Sequence, residues 1–444
     1  MSESGAPAVH LRLVADAVVV PGAGGPEVLI GGVVDIDPDG RIAGVASLSE
    51  AGDAPQRVER VGGLLMPGLV NGHAHGPMTL VRSAGDGLPL QQWLTDAVWP
   101  REGRMTPGDV RLGMTLASIE MLRAGITTSV EMYLFEDAVA DAVEVTGARA
   151  HVMAGVISAI APDDDTFRAR LDAVADFHER RHDPAKGLGV GIGPHSVWDL
   201  GPDRLADVAA LAADLDAPIH IHLEETEFER HQVLDEHGVS ATALLQRAGA
   251  FDRRVVAAHG VWLSDEDMVV LGTAGATVVH CPTSNLKLGS GIAQVGALLD
   301  AGVGVAIGTD GAASNDDLDM WEEMRLAGLL ARGVAHDPTA VSAGQVFDLA
   351  TSGGARALGI DDVGELRPGA WADIVRIDLD QPALVPGQPD ELLGHLVWAG
   401  NARQVTDVWV AGRRVVEQGE VTTVDRDAVQ AEARSAGSRL SSDG

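Results

Sequence analysis

Cysteine is almost missing from this chain: Cys281 stands alone in 444 residues, so no disulfide can form within it. Lysine is nearly missing too, with Lys186 and Lys287 the only two among 32 basic residues. Positive charge as a whole is scarce, and the net charge of −33 argues against a surface for nucleic acid, whose phosphates need Lys and Arg. No apolar run reaches the roughly 18 residues of a membrane span. The first residues lack the basic stretch and apolar core of a secretory signal. We therefore expect a cytoplasmic protein with a small-molecule substrate and neither nucleic acid nor membrane as partner. Assembly into a homo-oligomer is compatible with the sequence.

What is present is a regular alternation. Residues 64–70, 127–132, 150–156, 189–193, 218–222, 254–258, 276–280 and 304–307 read as short apolar strands. Helical patterns fall between them, among them 106–124, 165–182, 202–213 and 240–248. Short, continuously apolar strands separated by helices are the mark of parallel strands buried on both faces. Eight such units predict an α/β fold, a (β/α)8 TIM barrel. Both ends of the chain read differently, as strands joined by turns: 10–20, 28–36, 41–45 and 57–65 before the alternation, and 372–377, 405–410 and 414–417 after it. Asp37-Pro38-Asp39-Gly40 has hairpin chemistry between two apolar runs. We expect a small β-sandwich built from both termini, with residues 1–65 and 365–424 contributing, a catalytic barrel at 66–364, and a polar helix and tail at 425–444.

In a TIM barrel the chemistry gathers where strands end. The first candidate strand runs into Asn71-Gly72-His73-Ala74-His75, and residues two apart on a strand share a face. The fourth runs into Gly193-Pro194-His195, the fifth reads Ile219-His220-Ile221-His222-Leu223-Glu224-Glu225, and the sixth ends at His259. His280 closes the seventh, and Asp310 follows the eighth. So many imidazoles and a carboxylate after buried strands predict a metal site. Cys281, just after a buried strand, reads as packing.

Four segments carry a resemblance: 67–75 (Pro-Gly-Leu-Val-Asn-Gly-His-Ala-His), 222–226 (His-Leu-Glu-Glu-Thr), 280–288 (His-Cys-Pro-Thr-Ser-Asn-Leu-Lys-Leu) and 308–315 (Gly-Thr-Asp-Gly-Ala-Ala-Ser-Asn). Together they resemble the amidohydrolase superfamily, and within it the branch of 5-methylthioadenosine/S-adenosylhomocysteine deaminases and chlorohydrolases. The resemblance implies that His73, His75, His222 and Asp310 bind metal, that His259 sits beside the reacting water, and that Glu225 shuttles protons. It implies that His195, His280, Asn285 and Ser314 line the substrate pocket, with His220 structural. Glu102, in Trp99-Pro100-Arg101-Glu102, matches a glutamate that holds ribose hydroxyls, although an acid there also suits the start of the next helix. Trp93 either lines the pocket or packs its loop. Arg149 resembles an arginine that reaches an amino-acid tail, and a surface ion pair is its other reading. Two-metal relatives use a carboxylated lysine at the fourth strand end; neither lysine lies there, so one divalent ion is expected. Zinc is the first choice, with iron and manganese compatible with the same ligands.

The implied activity is hydrolytic deamination of an adenine nucleoside or thioether nucleoside: adenosine, 5-methylthioadenosine or S-adenosylhomocysteine. An aminated pterin, guanine-type base or triazine is the alternative within the fold. A catalytically inactive scaffold is the alternative outside it, and it has no use for ligands and shuttle acid together.

Overall fold

The computed structural model describes residues 9–360 and 362–441. The expectations at residues 1–8 and at the last three residues of the tail lie outside them. Eight parallel strands follow one another around a barrel: β1 (Leu69–Ala74), β2 (Ile126–Tyr133), β3 (Arg149–Val156), β4 (Leu188–Pro194), β5 (Ile219–Leu223), β6 (Val255–His259), β7 (Thr277–His280) and β8 (Gly304–Ile307). Closure comes just past the strand ends, where the Asp310 amide donates to the His73 carbonyl at 2.9 Å. Val70, Val130, Met132, Met153, Val256 and Val279 fill the interior, so the barrel is a packed core rather than a pore. Helices cover it with few surprises. Pro107–Arg123, for instance, starts where Thr106 and Asp109 form a reciprocal capping box with Pro107 in the first turn.

The apolar run read as one strand from residue 64 divides. Leu64–Pro67 belongs to a second sheet, and the chain enters β1 only after Gly68. A Cβ on Gly68 would stand 2.0 Å from Thr127 Oγ1, so only glycine lets the chain pass between the two sheets here. That second sheet has seven strands and draws on both termini. Leu64–Pro67 pairs antiparallel with Ile374–Ile377, and Val405–Val410, Arg413–Glu417, Ala17–Gly22 and Gly25–Ile30 extend it on either side. A four-stranded sheet from residues 11–60 packs against it through Leu13, Val34, Ile36 and Ile42, facing Leu65 and Trp409. The expected 10–20 and 28–36 strands are each two strands, broken at Ala15-Asp16 and Gly31. The terminal helix, Arg426–Ser441, lies on Pro107–Arg123 and pairs Arg439 with Asp109. Among the described residues no helix is long and apolar enough to cross a membrane.

Candidate active site

β1 delivers His73 and His75 to one face of the barrel mouth, and β5 delivers His222. Each ring is aimed by a hydrogen bond at Nδ1. His75 Nδ1 donates to the Met132 carbonyl at 2.5 Å and His222 Nδ1 to the His195 carbonyl at 2.8 Å. His259 Nδ1 meets Asn285 Oδ1 at 2.9 Å, and His73 Nδ1 meets His220 Nε2 at 2.7 Å. A carbonyl oxygen can only accept, so each neutral ring bonded to one carries its proton on Nδ1 and leaves a lone pair on Nε2 for a metal. Burial pushes the His73 imidazole down to about 4 and His222 well below its ordinary value, which keeps both neutral.

The Nε2 atoms converge. Those of His75 and His222 lie 3.2 Å apart, and Asp310 Oδ1 stands 3.3 Å from His73 Nε2 and 3.2 Å from His75 Nε2. Among the described residues His73 Nε2 is buried without a hydrogen-bond partner. Donor atoms of His73, His222 and His259, and of His73, His75 and Asp310, each fall within 4.8 Å of one another. Lone pairs and a carboxylate aimed at one point repel unless a cation lies between them, so this donor set fits a divalent metal. Asp310 is set by its other oxygen, which accepts from Ser284 Oγ at 2.6 Å and Ser314 Oγ at 2.8 Å. The backbone is strained where the ligands emerge: Asp310, His259 and Glu224 have φ of 61°, 73° and 50°. Such left-handed values in non-glycine residues gather at functional sites. A Cβ on Gly308 would come within 2.7 Å of the His73 amide, so that glycine lets β8 approach β1 closely.

Glu225 faces the donor cluster, its carboxylate 3.7 Å from His259 Nε2 and 3.5 Å from Ser290 Oγ. Glu229 holds its backbone, accepting from the Glu225 amide at 2.9 Å. Burial raises the Glu225 carboxyl above the usual range, although His259 pulls it down. Above the cluster opens a cleft. His195, Glu102 and Trp93 are on its wall. Glu102 accepts from the Tyr133 hydroxyl at 2.5 Å, so it is turned into the cleft rather than toward the helix start at Thr106. Trp93 both lines the cleft and packs its loop, donating from Nε1 to the Ala84 carbonyl at 2.7 Å. It opens a π-helical turn, Trp93–Val98, of the kind that often marks functional sites.

Other expected pocket residues stand elsewhere. Asn285 and Ser314 are buried behind the wall, where they orient His259 and Asp310. His280 is buried, off the cleft wall, and both ring nitrogens lack partners among the described residues. Arg149 is the clearest correction. It opens β3 instead of closing it, at the opposite end of the barrel, and is buried in an ion pair with Asp373 at 3.0 Å. Trp371 covers its guanidinium at 4.9 Å. It lies off the cleft wall and is no surface pair either. Lys186 and Lys287 pair with Asp183 and Asp316, away from the end of β4. Tyr133, Trp99, Trp198, Ser284 and Glu229 went unread in the sequence. Tyr133 closes β2 and Ser284 lies inside a quoted motif, so position alone could have flagged both.

Residues 64–415 match the model of the amidohydrolase family. A 5-methylthioadenosine/S-adenosylhomocysteine deaminase from Moorella thermoacetica is 41% identical over 424 residues, covering 95% of this chain and 97% of its own length. A 5'-deoxyadenosine deaminase from Methanothermobacter thermautotrophicus is 40% identical over 94% of this chain and 97% of its own. Among solved structures, an adenosine deaminase from Xanthomonas campestris with bound zinc superposes with a TM-score of 0.92 at 38% identity, covering 98% and 99% of the two chains. With its barrel, converging donors and nearly full-length match, the chain belongs to the amidohydrolase family.

Proposed function

We propose that this protein is a metal-dependent aminohydrolase that removes the amino group of an adenine nucleoside or thioether nucleoside as ammonia. His73, His75, His222 and Asp310 hold one divalent ion, zinc by analogy with the zinc-bound neighbour. When bound, the ion lowers the pKa of water toward about 7 and so supplies a nucleophile at neutral pH. The protein's own groups do the rest. His259 and Asp310 orient the attacking water, and Glu225 takes its proton. The oxygen adds to the ring carbon bearing the amine while Glu225 delivers a proton to the adjacent ring nitrogen. Glu225 then takes the remaining proton of the newly added hydroxyl and carries it to the amine; the carbon–nitrogen bond breaks as that oxygen becomes the carbonyl, and ammonia leaves. Glu102, held by Tyr133, accepts from the ribose hydroxyls, and His195 stands on the same wall.

The observation that carries this reading is the buried Glu225 carboxyl beside the donor cluster, because an amine departs only when protonated. Glu225→Gln should keep its metal and lose about 10² to 10⁴ in kcat, the usual worth of general acid–base catalysis. Ammonia release from adenosine, 5-methylthioadenosine and S-adenosylhomocysteine measures it. Near-normal turnover in the variant, or a wild type that prefers pterins or triazines, sinks the proposal.

A further inference from the structure

The cleft above the donor cluster contains no cation among the described residues. Its charged members are Glu102, Glu225 and Asp310, all acids, with His75, His195, His222 and His259 beside them. Away from the reacting centre the wall is apolar. Leu90, Trp99, Met105, Phe135, Ile157 and Trp198 contribute to it. Basic groups adjoining lining residues bond elsewhere: Arg101, beside Glu102, donates to the Ala97 carbonyl at 3.2 Å. Arg170 donates to the Gly155 carbonyl at 2.8 Å and pairs with Glu136 behind the wall. Arg204 donates to the Ala161 carbonyl at 2.9 Å, and Lys287, next to the lining residue Leu288, turns to Asp316. Arg149 is sealed at the far end of the barrel.

Phe135 adds an independent sign. It lines the cleft, is 43% exposed, and sits at φ 57°. A bulky side chain in the left-handed region is uncommon, and here it presents an uncovered aromatic face to whatever enters.

Taking adenine nucleosides as substrates, as proposed above, we infer that this chain selects those whose 5' substituent is uncharged and apolar, a deoxy or alkylthio group. It disfavours those with a zwitterionic amino-acid tail. An apolar wall offers such a tail nothing for its carboxylate, and desolvating an unpaired charge is costly. The short alkyl group of a thioether instead gains contact with Phe135, Ile157 and Trp198.

The test compares kcat/KM of the metal-loaded wild type on 5-methylthioadenosine, 5'-deoxyadenosine and S-adenosylhomocysteine. We expect the first two to exceed the third by about tenfold or more, since even one methylene more or less in an apolar pocket is worth about 10- to 200-fold. Equal turnover of all three would overturn the selectivity and leave the deaminase reading standing. Release of ammonia from none of them would overturn both. Phe135→Ala, at an exposed position, should lower kcat/KM for 5-methylthioadenosine about tenfold relative to adenosine. Equal losses on the two substrates would show that Phe135 does not meet the 5' group and would defeat the inference.

Discussion

The two ends of the barrel both hold buried ionisable side chains and use them in opposite ways. At the carboxyl ends of the strands, histidines and an aspartate crowd their lone pairs together, His73 Nε2 is left unpartnered, and three residues carry strained backbones. At the amino ends, Arg149 and Asp373 close a buried pair, Ala411 donates its amide to Asp373 at 2.7 Å, and Arg41 stacks on Trp371 while bound to Asp362 at 3.0 Å. Open valences mark where a ligand is awaited, and closed pairs mark where two layers are clamped. Residue type alone does not separate these cases; the end of the strand does.

Removing a ligand at the mouth should have the largest effect. His222→Ala is expected to lose the bound ion and with it all measurable turnover, because so small a donor set depends on each member. Elemental analysis beside an ammonia assay reads this, and a fully active variant free of metal would erase the contrast between the two ends.

At the floor the loss should appear in stability and spare catalysis. Arg149→Met strands Asp373 in a buried site, and breaking a buried pair in this way costs about 3–5 kcal/mol. The urea midpoint should fall accordingly. The folded variant should keep the wild-type ratio of kcat/KM between S-adenosylhomocysteine and 5-methylthioadenosine. A changed ratio with an unchanged midpoint would return Arg149 to the substrate.

A third substitution sharpens the comparison within the mouth itself. Ser284→Ala removes one of the two hydroxyls that aim Asp310, and partners of this kind are worth about 10- to 100-fold in metal affinity or activity. Chelator competition should detect the weaker hold. An unaltered affinity would mean that Ser314 alone suffices.

Much of this was legible in the sequence because the signals are local. Helix starts fell within a residue or two where a capping side chain writes them, as at Thr106, Asp163 and Ser240. The helix expected from residue 202 starts there: Gly201, at φ 72° and ψ 170°, kinks the chain and separates it from a short helical turn that opens at Val197. The donors were readable because each closes or follows a buried strand. Three features depended on distant partners. Leu64–Pro67 and β1 form one apolar run whose division is decided by Thr127 and Asp373. Arg149 needed Asp373 to reveal its role. The cleft wall assembles Trp93, Tyr133, Ile157 and Trp198 from separate elements, and no window of sequence contains it.

The pairing of Leu64–Pro67 with Ile374–Ile377 also carries a consequence for how the chain reaches its native state. Roughly 300 residues separate the partners, and at about 5–20 residues per second a ribosome needs about 15–60 s to supply the second. Throughout that interval one apolar edge beside the entrance to β1 has no neighbour to bond. Contacts so remote in sequence form late and slowly. The seven-stranded sheet is thus closed late in synthesis, shortly before the terminal helix can dock on Pro107–Arg123, and until then the unfinished chain is exposed to misassociation on the side of the molecule away from the donor cluster.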